Sequence, residues 1–205
     1  MRRVSLATWT VETDLWGQGL AAVAGVDEVG RGALAGPVVA AAVVLSPGIQ
    51  LEGVDDSKRL RPMERERLFQ RISQLAGGIG VGIVGSALIE QVNIRQGTLL
   101  AMREAVQQLP EVPDYLLVDG CDRVPVSLAQ RAIIGGDHLI ISIAAASIVA
   151  KVTRDRLMVA YDRQFPGYGF AQHKGYGTFA HFQALNRLGP CAIHRRTFRG
   201  VNPHG

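Results

Sequence analysis

Apolar residues fall along the chain in short blocks punctuated by glycine, proline and charge. Residues 21–29 (AAVAGVDEV) form one block, and Pro37–Leu45, rich in valine and alanine, forms a second. Both predict buried strands, with Gly30-Arg31-Gly32 as the turn between them. Pro62–Leu75 has proline near its first turn and charge on one face, which predicts a helix. Gly78–Ser86 predicts a strand, and Gly97–Leu109 a helix stopped by Pro110. Tyr115–Asp119 and Arg131–Gly135 are short strands, each ending at glycine. A long helix from about Ile143 to Tyr161 and a shorter one from Thr178 to Leu188 complete the pattern. Strands come first and helices dominate later, so the expected class is α/β, a sheet with helices on its faces.

Composition narrows this little: 205 residues suit one domain, and 47% hydrophobic with 20% charged residues is ordinary for a globular protein. The longest apolar runs, Ala33–Leu45 and Leu139–Ala150, are shorter than the roughly 20 residues of a membrane span. Met1-Arg2-Arg3 is not followed by the apolar stretch of a signal peptide. Cys121 and Cys191 give neither a disulfide framework nor a metal-type spacing. These features predict a cytoplasmic protein with no membrane partner. Charge does change the picture. Residues 151–205 hold nine lysines and arginines against two acids, whereas residues 1–150 hold thirteen against sixteen. A basic C-terminal quarter on an acidic body suggests a polyanion partner, or simply a solvated face.

Candidate chemistry begins with acids at strand ends. Asp27-Glu28 interrupts an apolar strand, Asp119 ends another, and Asp137 follows a third apolar run. Buried carboxylates are costly unless paired, hydrogen-bonded or bound to a cation. If these ends converge, oxygen-only ligands select hard ions such as Mg²⁺ or Mn²⁺, and two such ions can support phosphodiester hydrolysis. Neighbouring residues of a regular strand face opposite sides, so Asp27 and Glu28 share a centre only if the strand is irregular there, which the adjacent Gly30 would favour. Taken singly, Asp119, Asp122 and Asp137 also read as turn formers beside glycine. Gly25–Gly30 has the GxxxxG spacing of a phosphate loop, but Arg31-Gly32 replaces the required Lys-Ser/Thr and two acids would repel phosphate.

Several segments together resemble ribonuclease HII, the type 2 ribonuclease H family: GVDEVGRG at 25–32, DDSKRL at 55–60, VDG at 118–120, GGD at 135–137, SIAAASIVAKVTRDRLM at 142–158 and YGFAQHKGYGT at 168–178. The likeness spans residues 25–198. It implies an RNase H-like fold, a mixed central sheet flanked by helices with a helical, basic C-terminal extension from about residue 160, after an N-terminal extension of about 20 residues. It implies an endonuclease that cuts the RNA strand of RNA–DNA hybrids, and DNA duplexes 5′ of embedded ribonucleotides, leaving 3′-hydroxyl and 5′-phosphate ends. The metal-binding acids it implies are Asp27, Glu28, Asp119 and Asp137, holding two Mn²⁺ or Mg²⁺ ions.

The resemblance further implies that Gly30, Arg31 and Gly32 meet the 2′-hydroxyl beside the scissile phosphate, and that Tyr176 stacks on the deoxyribose of an RNA–DNA junction. Lys58 reads as a phosphate contact or a solvated loop lysine. Arg195 and Arg196 read as phosphate contacts or a solvated tail. Lys151 and Asp155 are spaced to pair on the helix surface, with Lys151, Arg154 and Arg156 as possible strand contacts and Ser147 as a packing residue. The histidines have no metal-ligand spacing and receive no catalytic role. Gly177 and Ala33 stand where the family often has proline, which alters loop stiffness only. The short N-terminal stretch leaves no room for the extra domain of ribonuclease HIII, no clamp-binding peptide is visible, and a monomer is expected. A DNA-specific metal nuclease of similar fold and a silent hybrid-binding module are the competing readings.

Overall fold

Blocks of valine and alanine pair in register to make the centre of the molecule. The structure, a computed structural model, describes residues 7–51, 53–54, 57 and 60–202. Strands β1 (Val23–Val29), β2 (Val38–Val44), β3 (Gly78–Val84), β4 (Tyr115–Asp119) and β5 (Gln130–Ile133) form one sheet in the order β3-β2-β1-β4-β5. β1 is antiparallel to β2, as is β2 to β3, while β4 runs parallel to both β1 and β5. The sheet is therefore mixed, as expected.

Alternation along β1 separates two apolar layers. Ala24 and Val26 join Val38, Ala40 and Leu116 beneath helix α4 (Ile94–Gln107). Gly25, Asp27 and Val29 face helix α6 (Ile141–Gln164), whose first ten residues are all buried. Small residues make that contact close. A β-carbon on Gly25 would lie 2.1 Å from the Ser142 carbonyl carbon, so β1 and α6 meet backbone to backbone. Helix α2 (Pro62–Leu75), with the bounds its pattern predicts, covers the outer side of α6 through Leu68 and Ile72.

Four helices lie where the sequence pattern gave none: α1 (Thr10–Gly17), α3 (Ser86–Val92) and two of four residues each, α5 (Gly136–Leu139) and α7 (Phe170–His173). α1 packs Leu15 against Val23, Leu117 and Ile143, and its buried Glu12 accepts the Ser142 N–H at 2.8 Å. Ile140, at the start of α6, has no side chain that can cap the helix, so Glu12 supplies an acceptor from elsewhere in the chain. The short α5 (Gly136–Leu139) follows β5, and α8 (Phe179–Leu188) carries the C-terminal region, where Phe170, Met158 and Ala184 form a separate small core.

Candidate active site

β1 and β4 deliver the acids. Gly25 pairs with Leu117 and Val26 with Val118, so the next residue of each strand, Asp27 and Asp119, falls side by side at the carboxyl end of a parallel pair. Both project to the α6 face. Asp137 comes from the first turn of α5, directly beyond the β5 end. One carboxylate oxygen from each of Asp27, Asp119 and Asp137 lies within 4.8 Å of the others. Asp27 and Asp137 are buried and Asp119 is half-buried.

Fixed donors hold the cluster. Glu28 N–H donates to Asp27 Oδ1 at 2.7 Å, and Gly136 N–H donates to Asp119 Oδ1 at 2.7 Å. Ser147 of α6 bonds the Asp27 carboxylate, and its hydroxyl lies 2.9 Å from that of Ser57. Burial raises the Asp27 carboxyl well above the usual range, and the charges of Glu28 and Asp119 push it further. Among the described residues the three groups that converge are all carboxylates, and a hard divalent cation would relieve their repulsion. The residues present fit such an ion.

Glu28 does not join that trio. The β1–β2 register continues unbroken through Asp27, Glu28 and Val29, opposite Ala41, Ala40 and Val39, so the irregular strand expected from Gly30 is absent. Alternation puts Glu28 on the other face at the sheet rim, where Arg31 Nη1 donates to its carboxylate at 3.2 Å. The acids act on one another without sharing a face.

The turn after β1 is shaped from beneath. Gly30 has φ +96°, and a β-carbon there would lie 2.2 Å from Arg154 Nε. The absent side chain thus makes way for a buried arginine as well as for the turn. Arg154 donates to the carbonyls of Pro37 (2.9 Å), Lys174 (2.9 Å) and Ala35 (3.2 Å). Arg195 donates to Gly36 (2.9 and 3.1 Å) and Arg31 (2.8 Å). Both arginines are fully buried, so neither is the strand contact or solvated tail residue that the sequence suggested. Each ties backbone carbonyls that no strand or helix would otherwise satisfy. Arg154 lies on the same helical stripe as Ala150 and Met158, a periodicity that could have placed it inside.

The half-buried ring of Tyr176 sits over the Arg154 guanidinium, 5.4 Å from its carbon, and so beside the Gly30 turn. Arg31 is half-exposed, and a β-carbon on Gly32 would meet no atom within 4 Å. Lys58 lies outside the described residues. Lys151 pairs with Asp155 at 2.7 Å as expected, Arg156 pairs with Glu66, and the exposed Arg196 offers its backbone N–H to Glu90. Asp122 is taken by Arg95 at 2.6 Å, away from the trio. His138, given no role from sequence, puts Nε2 3.6 Å from Asp137 Oδ1. Ser57 and Ser147 are supports of Asp27 that a lone serine among alanines did not disclose.

The sequence model described as Ribonuclease HII matches residues 24–201. Ribonuclease HII of Geobacter metallireducens is 60% identical over 196 residues, covering 96% of this chain and 92% of its own. That of Geobacter sulfurreducens is 57% identical over 198 residues, covering 97% and 91%. Among solved structures, ribonuclease H2 of Pyrococcus horikoshii superposes with a TM-score of 0.74 at 27% identity, covering 88% of this chain and 95% of that one. Archaeoglobus fulgidus ribonuclease HII, solved in complex with PCNA, superposes at 0.75 with 26% identity, covering 87% and 95%.

Proposed function

The chain belongs to the ribonuclease HII family, and from that premise we propose that it cuts duplex DNA 5′ of single embedded ribonucleotides as well as the RNA strand of RNA–DNA hybrids. The observation that carries the reading is the convergence of Asp27, Asp119 and Asp137 beyond the carboxyl ends of parallel strands, beside an exposed glycine–arginine turn. Asp27, Asp119 and Asp137 would hold two Mg²⁺ or Mn²⁺ ions, with Glu28 as a fourth carboxylate at the rim. Such ions supply activation of water and neutralisation of charge on the phosphate.

The chain's own groups do the rest. Ser147 and the Glu28 N–H orient Asp27, and the Gly136 N–H orients Asp119, so the acids are set before substrate arrives. Gly32, with open space where a side chain would be, admits a sugar edge to the backbone of the turn, and Arg31 lies at the same rim for phosphate. Tyr176 presents a flat face, steadied by Arg154, to the sugar after the ribonucleotide. We read residues 1–205 as one catalytic unit acting as a monomer, its C-terminal segment packed beside the turn.

Incubating a labelled DNA duplex carrying one ribonucleotide, beside its all-DNA twin, with Mg²⁺, Mn²⁺ or EDTA tests this. Metal-dependent cutting of the first alone, on the 5′ side, is expected, and Asp27→Asn abolishes it while hybrid binding persists. Full activity of Asp27→Asn would sink the site assignment. No cutting at the single ribonucleotide, with cutting of a long hybrid, would overturn the role given to Tyr176.

A further inference from the structure

Three of the five histidines, His173, His181 and His194, meet around Phe170 although they come from α7, α8 and the loop beyond α8. His181 and His194 are buried, and His173 and His181 stack with centroids 4.4 Å apart. Their backbone partners fix each proton. The Cys191 N–H donates to His194 Nδ1 at 2.9 Å, so neutral His194 carries its proton on Nε2. That proton faces His181 Nε2 at 3.0 Å, which leaves the His181 proton on Nδ1, 3.0 Å from the Tyr176 carbonyl. On the other side, the Gly175 N–H donates to His173 Nδ1 at 3.2 Å, and His173 Nε2 donates to the Tyr168 carbonyl at 2.8 Å. The chain at Tyr176 is therefore gripped before and after its ring. The Gly175 carbonyl also accepts the Leu34 N–H at 2.8 Å, which ties this turn to the segment that follows Gly30-Arg31-Gly32. Apolar side chains would fill the same space without the cost of burying imidazoles, and they would hold no backbone group.

We propose that His173, His181 and His194 are positioning residues that set the Tyr176 ring against the 30–32 turn, and so determine how strongly a single ribonucleotide in DNA is preferred to a long hybrid. The inference rests on the reading of Tyr176 as the side chain that meets the junction. The histidines touch no reacting atom, and their effect passes through one backbone carbonyl and one N–H.

Steady-state kcat and KM on both substrates test it in the parent, His181→Gln, His181→Asn, Tyr176→Ala and the Gln/Ala double variant. The asparagine amide nitrogen overlays imidazole Nδ1 and keeps the donor to Tyr176, whereas the glutamine nitrogen overlays Nε2 and loses it. H181Q should lose about tenfold in kcat/KM on the single-ribonucleotide duplex, what one net hydrogen bond is worth, and less than about twofold on the hybrid. H181N should restore the preference, and H181Q should cost nothing further on top of Y176A, because the two act through one element. If H181Q does not fold, His173→Gln, at the half-buried member, makes the same comparison. Equal losses on both substrates would overturn the proposal and leave the histidines as packing. A preference lost in Y176A but kept in H181Q would overturn it while sparing the junction reading. A preference unchanged in Y176A would overturn both.

Discussion

Replacing Gly25 by alanine puts a β-carbon 2.1 Å from the Ser142 carbonyl carbon, 2.2 Å from its oxygen and 2.4 Å from the Ile143 nitrogen. All three are backbone atoms of α6, so no side chain can swing aside. Ordinary carbon contact begins near 3.4 Å, and α6 must therefore retreat from β1 by about 1.3 Å. The cost falls at the upper end of overpacking, about 3 kcal/mol, or roughly 6–12 °C in melting temperature for a chain of this length. The same retreat carries Ser147 away from Asp27, and a misplacement of about 1 Å in a catalytic group costs about 100-fold in rate. Thermal unfolding and cleavage of a hybrid measure the two effects together. Gly32→Ala is the control for stability, since a β-carbon there meets nothing within 4 Å. A Gly25→Ala protein that melts within about 2 °C of the parent would refute the claim that β1 and α6 are held backbone to backbone.

In EDTA, Asp27→Asn should raise the melting temperature, because it removes a buried charge pushed up by desolvation and by Glu28 and Asp119; added Mn²⁺ should then stabilise the parent and not the variant. Burial, helped by His181, lowers the His194 imidazole from 6.5 to about 4, so its contribution is complete above pH 6.5 and is lost as pH falls toward about 4. That displacement corresponds to about 3 kcal/mol at most, and melting curves from pH 8 to pH 4 should flatten in His194→Gln. Glu12→Ala leaves the Ser142 N–H buried without its acceptor and should cost about 2 kcal/mol, read by urea unfolding; an unchanged midpoint would exclude the capping role.

The apolar pattern was a good guide wherever an element met the core. It marked β1, β2 and β4 because each is buried along most of its length, and the bounds of α2 because Leu68 and Ile72 repeat on one face. It failed at α1, whose helix mixes Thr10, Glu12, Thr13 and Asp14 with aromatic residues and is stabilised by Leu15 and Glu12 docking on distant elements. Asp27, Asp119 and Asp137 were visible because a carboxylate within or just beyond an apolar run is anomalous locally. Glu28 was visible for the same reason, yet the unbroken register puts it on the other face. Basic charge misled in the C-terminal quarter. Arg154 reads as a strand contact, and Arg195 as a phosphate contact or a solvated tail, until the carbonyls they hold, most of them supplied by residues more than 100 positions away, are known. Histidine spacing carried no signal at all, since the trio assembles from three separate segments.

The match to the family's sequence model begins at residue 24, but the folded unit does not. Leu15 covers Val23, Leu117 and Ile143, and Glu12 closes the first turn of the helix that carries Ser147 to Asp27. A protein cut at the family boundary would keep every proposed ligand and lose the latch that seats them. Its expected defect is a loosened α6, seen as rapid amide exchange at Ile141–Ile143 and weakened metal affinity, with the aspartates intact. The strand that opens the matched segment thus depends on a helix that lies outside it.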